Sequence, residues 1–366
     1  VDEDLSTQQT QQIGELKQAF GTRLDSIETF LVAIGNAINA MSGNVDTLTG
    51  QVRAFIYDDR IGRTLMAMGQ IRAAQLASHT TIPDLAAVEF KVFSQWGEDG
   101  IIEWLVSKLP GIPPTFVEFG VENFGEANCH FLMENRNWKG LVIDGSEAHM
   151  DQLRHTVLHW QHDLTAVTGF VTAENIDQLI TRNGFAGDLG ILSIDIDGND
   201  YWVWDAIKSV NPAIVSCEMN GVLGDLHPIS IPYDPAFERL KAHYSGQYFG
   251  TSVAALKHLG AQKGYTFVGT NSRGVNAFFV RNDLAGNILP LIDRITTYPS
   301  VHRDSRGPGG DLTFLAGAKR LELISHLPVI DVTTGNDICL RDLGQLYSEE
   351  WRRRMNYDAG SADRAK

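Results

Sequence analysis

Between Phe116 and Asp144 two short apolar runs lie a helix-length spacer apart, and acids sit at or just before their ends. The first is Phe116-Val117-Glu118-Phe119-Gly120-Val121-Glu122-Asn123-Phe124-Gly125, the second Gly140-Leu141-Val142-Ile143-Asp144. Runs this short and this apolar suit strands buried on both faces, and two such strands joined through a helix pair in parallel. The pattern repeats. Strands are expected near 115–120, 140–144, 166–171, 189–195 and 213–218, with helical stretches between, which implies a parallel sheet with helices on both faces. Two late strands, 265–269 and 275–281, are joined by Thr270-Asn271-Ser272-Arg273-Gly274. That short, glycine-ended link suits a hairpin and so an antiparallel pair. The expected fold class is α/β: a Rossmann-like, mostly parallel sheet with an antiparallel last strand.

The N-terminal segment follows another logic. From Ile13 to Val52 apolar residues recur in three-then-four steps, with one extra four-residue step between Phe20 and Leu24. A narrow, long seam is the mark of a coiled coil, and the extra step reads as a stutter. Gly35, Gly43 and Gly50 weaken the helix, each by about 1 kcal/mol against alanine. The alternative is a helical pair packed on its own catalytic domain. The expected organisation is a helical oligomerisation segment over 1–60, a helical linker over 61–89, a catalytic domain over 90–345 and a polar tail over 346–366. Self-association through the N-terminal helix would make the protein a homo-oligomer.

Composition excludes several classes. With 366 residues, 43% hydrophobic and 20% charged, the chain can bury a sizeable core. A net charge of −15 argues against nucleic acid and anionic lipid as partners. Cys129, Cys217 and Cys339 lie far apart with no C-x-x-C spacing, so neither a disulfide framework nor a zinc site is implied. Cys129 and Cys217 suit a buried core. No apolar run reaches the roughly 18 residues of a membrane span. The polar, acidic N-terminus does not resemble a signal peptide, so the cytoplasm is the expected compartment.

The first motif, Glu118-x-Gly120-x-Glu122-x-x-Gly125, lets backbone approach a ligand at the glycines. Asp144, about 20 residues further on at the end of the next strand, stands where an acid takes ribose hydroxyls. A dinucleotide site would want G-x-G-x-x-G and a helix N-terminus free for pyrophosphate. Here acids flank the glycines, which turns the site toward a cationic or zwitterionic nucleoside. S-adenosylmethionine has a sulfonium, an ammonium, a ribose diol and no phosphate. Glu118 would sit near its amino-acid end, and Asn123, Gly145 and Ser146 are further candidate contacts. Phe93-Ser94-Gln95-Trp96-Gly97-Glu98-Asp99-Gly100 precedes a helix; Ser94 or Asp99 could cap it, or Gln95 and Glu98 could reach over the cofactor.

The second motif, Leu192-Ser193-Ile194-Asp195-Ile196-Asp197-Gly198-Asn199-Asp200, brings acids to the end of the fourth strand. The fifth ends in Glu218-Met219-Asn220. Asp195 and Asp197 are candidates for catalysis, Asp195 also for cofactor binding. Asp197, Glu218 and Asn220 offer hard oxygen ligands that suit Mg²⁺ bound to vicinal hydroxyls. Alternatively an aspartate serves as a base or caps the loop. His227, in the polar loop after the fifth strand, is a candidate general base or a packing histidine. His155 and His159 have i,i+4 spacing, but no adjoining Cys or Glu pattern completes a zinc site.

Phe93-Ser94-Gln95-Trp96-Gly97-Glu98-Asp99, Val117-Glu118-Phe119-Gly120-Val121, Leu141-Val142-Ile143-Asp144-Gly145, Ser193-Ile194-Asp195-Ile196-Asp197-Gly198-Asn199-Asp200 and Gly274-Val275-Asn276-Ala277-Phe278-Phe279-Val280 together resemble the FkbM-like S-adenosylmethionine-dependent methyltransferases. The resemblance covers roughly residues 90–285. It implies a class I methyltransferase fold, cofactor contacts at Glu118, Gly120 and Asp144, and chemistry near Asp195, Asp197 and Glu218. It further implies O-methylation of a sugar or glycan hydroxyl. Two other readings stand beside it. Asp195-Ile196-Asp197 is an Asp-x-Asp, as in metal-dependent glycosyltransferases, although an acidic first turn suits a diphosphate donor poorly. The coiled-coil pattern would also fit an inactive, oligomeric methyltransferase-like scaffold.

Overall fold

The computed structural model describes residues 22–23, 29–36, 41 and 59–355. Most of the 13–52 seam lies outside them; Leu31, Ile34 and Met41 of that seam are helical and exposed. The chain divides into two units, Val1–Thr64 and Leu65–Lys366. All that follows concerns the second.

Seven strands form the main sheet: β1 (Thr115–Phe119), β2 (Lys139–Asp144), β3 (Leu164–Thr168), β4 (Gly187–Ile194), β5 (Val210–Glu218), β7 (Tyr265–Thr270) and β8 (Asn276–Arg281). A two-residue strand, β6 (Ile229–Ser230), belongs to a second sheet with β9 (Pro328–Asp331) and β10 (Asn336–Cys339). The main sheet runs β3-β2-β1-β4-β5-β8-β7. Strands β1 to β5 are parallel, and β8 lies antiparallel to both β5 and β7. This order, with its single reversed strand, is the class I methyltransferase fold.

Alternation within each strand explains the layers. Val117 and Phe119 of β1 join one buried cluster with Ile143, Ile194, Cys217 and Phe279, packed on the helices Ile176–Arg182, Asp200–Ala206 and Val253–Gln262. Phe116 joins the opposite cluster with Val142, Ile191, Ile214 and Phe278, packed on the helices Glu98–Lys108, His130–Arg136 and Glu147–Arg154. A sheet covered on both faces needs apolar residues on both, which is why the strands read as continuous apolar runs. Cys129 and Cys217 are buried free thiols. Among the described residues no helix is long and apolar enough to cross a membrane.

Three expectations shift. The third strand is Leu164–Thr168 rather than 166–171. The stretch expected as a linker enters the core: Leu76, Ile82, Leu85 and Val88 are buried, and Ile82 N–H donates to Leu291 O at 2.8 Å. The packed structure also continues past residue 345. Leu346, Tyr347 and Trp351 are buried in the same cluster as Val117, and Arg354 pairs with Glu350 at 2.8 Å.

Candidate functional site

Strand order reverses between β1 and β4, so the loops leaving their ends diverge and open a crevice, the switch point where ligands bind in sheets of this kind. Gly120 follows β1 with φ +71°, and a Cβ there would stand 1.6 Å from the Asp195 carbonyl oxygen just after β4. Only glycine lets the two loops meet. Beside them, Asp144 ends β2. Its Oδ2 accepts from Glu122 N–H and its Oδ1 from Ser146 N–H, both at 2.8 Å. Each oxygen retains a lone pair for a ligand hydroxyl.

Two cavities join at Gly120, Glu122, Asp195 and Asp197. The first, about 240 Å³, lies over β1 to β4 and is walled by Asp144, Gly145, Gly169-Phe170-Val171 after β3, and Phe237. The second, about 250 Å³, lies over β1, β4, β5 and β8. Asp195 and Glu218 both line it, near enough for their charges to interact. Burial first, then repulsion from neighbouring carboxylates, pushes both well above the usual carboxylate range. Asp200 sets the loop geometry beneath them, accepting from Ile196 N–H at 2.9 Å and Gly198 N–H at 3.0 Å.

Two further parts complete the second cavity. Arg239 stacks on the Phe249 ring at 3.8 Å and donates to Asp197 Oδ1 at 2.6 Å and to Asp304 Oδ2 at 2.9 Å. A strap without regular structure, residues 294–305, crosses the strand ends and delivers Ser300, His302 and Asp304. The strap lies on the β7–β8 turn. Tyr298 N–H donates to Thr270 Oγ1 at 3.0 Å, and a Cβ on Gly274 (φ +65°) would come within 2.4 Å of the Pro299 carbonyl carbon. His302 rests against Trp96, ring centroids 4.9 Å apart, and burial holds its pKa below the usual histidine value. Arg320, from the helix Lys319–Ile324, donates to Ser300 Oγ at 3.1 Å and Ser300 O at 2.9 Å.

Five side chains lining this second cavity each hold a buried atom with no hydrogen-bond partner: Glu218 Oε2, Gln247 Oε1, Asn276 Oδ1, His302 Nε2 and Arg320 Nε. Buried polar atoms are nearly always paired, so so many around one cavity point to a ligand rich in hydrogen-bonding groups.

The residues singled out from sequence fare differently. Gln95, Glu118, Gly120, Asp144, Gly145, Asp195, Asp197, Glu218 and Asn220 all line one cavity or both. Glu118 does so from within the fold: its oxygens accept from Asn128 N–H, Cys129 N–H and Ser193 Oγ. Four others do not line either cavity. Glu98 is fully buried and accepts from Trp96 and Gly97 N–H and from the amides of Asn271 and Asn276. Asn123 accepts from Gly125 N–H within its own turn. Ser146 caps the helix Glu147–Arg154. His227 is bound to Gln345 O at 3.0 Å; the histidine at the cavity is His302. His155 stands just past the helix Glu147–Arg154, at its C-cap, and His159 lies on the next short helix, Val157–Gln161.

A divalent cation does not fit. Asp197 is engaged by Arg239, the Asn220 amide donates to Gln247 O and Phe249 O while its Oδ1 accepts from Val222 N–H, and among the described residues no three His, Cys, Asp or Glu gather as a metal site.

No family model matches the sequence, and no curated protein does. Among solved structures the chain is similar to the DszA carbon methyltransferase at 13% identity, over 50% of this chain and 53% of that one, with a TM-score of 0.33. It is similar to the CurJ carbon methyltransferase at 10% identity, over 50% and 52%, TM-score 0.34. An O-methyltransferase from Bacillus cereus in complex with SAH matches at 16% identity, over 59% and 89%, TM-score 0.31. The chain spans about half the length of the first two. Overlaps this loose carry no functional argument.

Proposed function

We infer that the protein is an S-adenosylmethionine-dependent O-methyltransferase acting on a hydroxyl of a sugar or of a glycan-linked metabolite. One observation carries the reading. At the switch point lies a nucleoside-sized cavity with an acid at the ribose position and no lysine or arginine among its lining residues. A dinucleotide or a nucleotide sugar would leave its phosphates there without a cation, whereas an adenosyl sulfonium has none to place. Phe170 and Phe237 offer apolar walls to a purine, Asp144 accepts from ribose hydroxyls, and the acids at the junction suit a positive centre.

The cofactor, when bound, supplies an electrophilic methyl group. The chain's share is to hold the acceptor oxygen and to take its proton. The unpartnered polar atoms of Glu218, Gln247 and Asn276 suit a polyhydroxylated acceptor, which they would orient by hydrogen bonds. His302, neutral at pH 7 because burial lowers its pKa, has an open nitrogen to accept the hydroxyl proton.

Calorimetric titration with S-adenosylmethionine and S-adenosylhomocysteine tests the reading. Both should bind, and Asp144→Ala should weaken both by about tenfold or more through loss of charge-assisted hydrogen bonds. No binding of either at millimolar concentration sinks it.

A further inference from the structure

We propose that the acceptor carries a carboxylate, as a uronic acid does, and that Arg320 binds it; this deepens the methyltransferase reading and rests on it. Arg320 is 2% exposed and lines the second cavity. Its Nη1 and Nη2 donate to Ser300, and its buried Nε has no acceptor. Among the described residues no carboxylate forms an ion pair with it. The acid whose charge it feels, Asp304, has given Oδ2 to Arg239 and Oδ1 to Gln247 Nε2 at 3.1 Å. A guanidinium taken out of water without a counter-ion is costly to the fold. A ligand that brings the counter-ion removes that cost.

The position assigns the anion to the acceptor. Ser300, on which Arg320 rests, lies against Gly221 beyond β5 and against Gly274 before β8. The nucleoside cavity lies at the other side of the switch point, over β2 and β3. Arg239 is already bonded to Asp197 and Asp304, which leaves Arg320 as the guanidinium lining this cavity with an unpartnered N–H. Its planar fork fits a carboxylate through two parallel bonds.

The test uses the full chain saturated with S-adenosylhomocysteine. Methyl glucuronoside, methyl glucoside and glucose 6-phosphate are titrated separately, with binding read by ligand-observed NMR. The glucuronoside should bind about tenfold tighter than the glucoside or better, the worth of a charge-assisted hydrogen bond. Arg320→Gln should abolish that preference and leave the S-adenosylhomocysteine affinity unchanged; Arg320→Lys, which keeps the charge and loses the fork, should retain part of it. Equal binding of glucuronoside and glucoside overturns the proposal, and that arm needs no variant to fold. Tighter binding of glucose 6-phosphate overturns the carboxylate. Loss of cofactor affinity in Arg320→Gln, with the sugar preference intact, would assign the anion to the cofactor's own carboxylate. Failure of the wild-type protein to bind S-adenosylhomocysteine sinks the methyltransferase reading separately, because the sugar titrations can be run without it.

Discussion

Glu118 sits 3% exposed at the end of β1, its carboxylate accepting two backbone N–H groups and the Ser193 hydroxyl. Burial outweighs these bonds and lifts its pKa to about 7 from 4.5. The folded protein therefore holds a proton that the unfolded chain has lost. The stabilisation this brings is complete below pH 4.5 and is lost as pH rises through about 7. At 1.36 kcal/mol per unit this amounts to roughly 3 kcal/mol. In urea unfolding of wild type and Glu118→Gln, the advantage of the wild type should shrink by about that amount between pH 4.5 and pH 8. A gap that does not move with pH refutes the raised pKa. At this scale the strand-end acids were legible, because an apolar run that stops at an acid marks both the strand and its carboxyl end. His302 was not. It stands in a strap with no periodicity, while His227 follows a strand as a catalytic residue would and is then taken up by Gln345.

The β7–β8 hairpin shows how elements are fastened around the site. Glu98, first residue of its helix, takes the Asn271 amide at 2.5 Å, and Asn271 Oδ1 accepts from Val275 and Asn276 N–H across the turn. Asn271→Ala leaves two turn N–H groups and a buried carboxylate short of a partner. It should cost about 1–3 kcal/mol in urea unfolding; a change below about 0.5 kcal/mol, the size of an ordinary surface substitution, would show the tie to be idle. Strands and hairpin were readable from apolar runs bounded by glycine. The displaced third strand has an instructive cause. Phe170 and Val171 extend the apolar stretch beyond β3, but they wall the cavity beside Asp144, and the ladder has ended at Thr168. A residue kept apolar for a ligand looks in sequence like one kept apolar for the core.

At the scale of the molecule, the C-terminal stretch up to residue 355 packs into the body that carries the two cavities. Trp351 is 1% exposed, shares the cluster that covers one face of the sheet, and donates from Nε1 to Thr297 Oγ1 on the strap at 3.0 Å. Trp351→Ala should destabilise by about 3–5 kcal/mol in chemical denaturation. At a temperature where the variant is still folded, acceptor binding should weaken more than cofactor binding; the reverse order would disconnect the strap from the second cavity. The sequence hid this packing because its apolar residues, Leu346, Tyr347 and Trp351, are diluted among arginines and glutamates that face solvent. The two cavities also draw on different lengths of chain. The cavity beside Asp144 is lined from 120–199 with Phe237 alone beyond it, whereas the strap, Arg239 and Arg320 line only the other. On the methyltransferase reading proposed above, heritable change confined to residues 239–320 would redirect which molecule is modified while the methyl donor stays the same, so that related proteins could diverge in specificity without reinventing their chemistry.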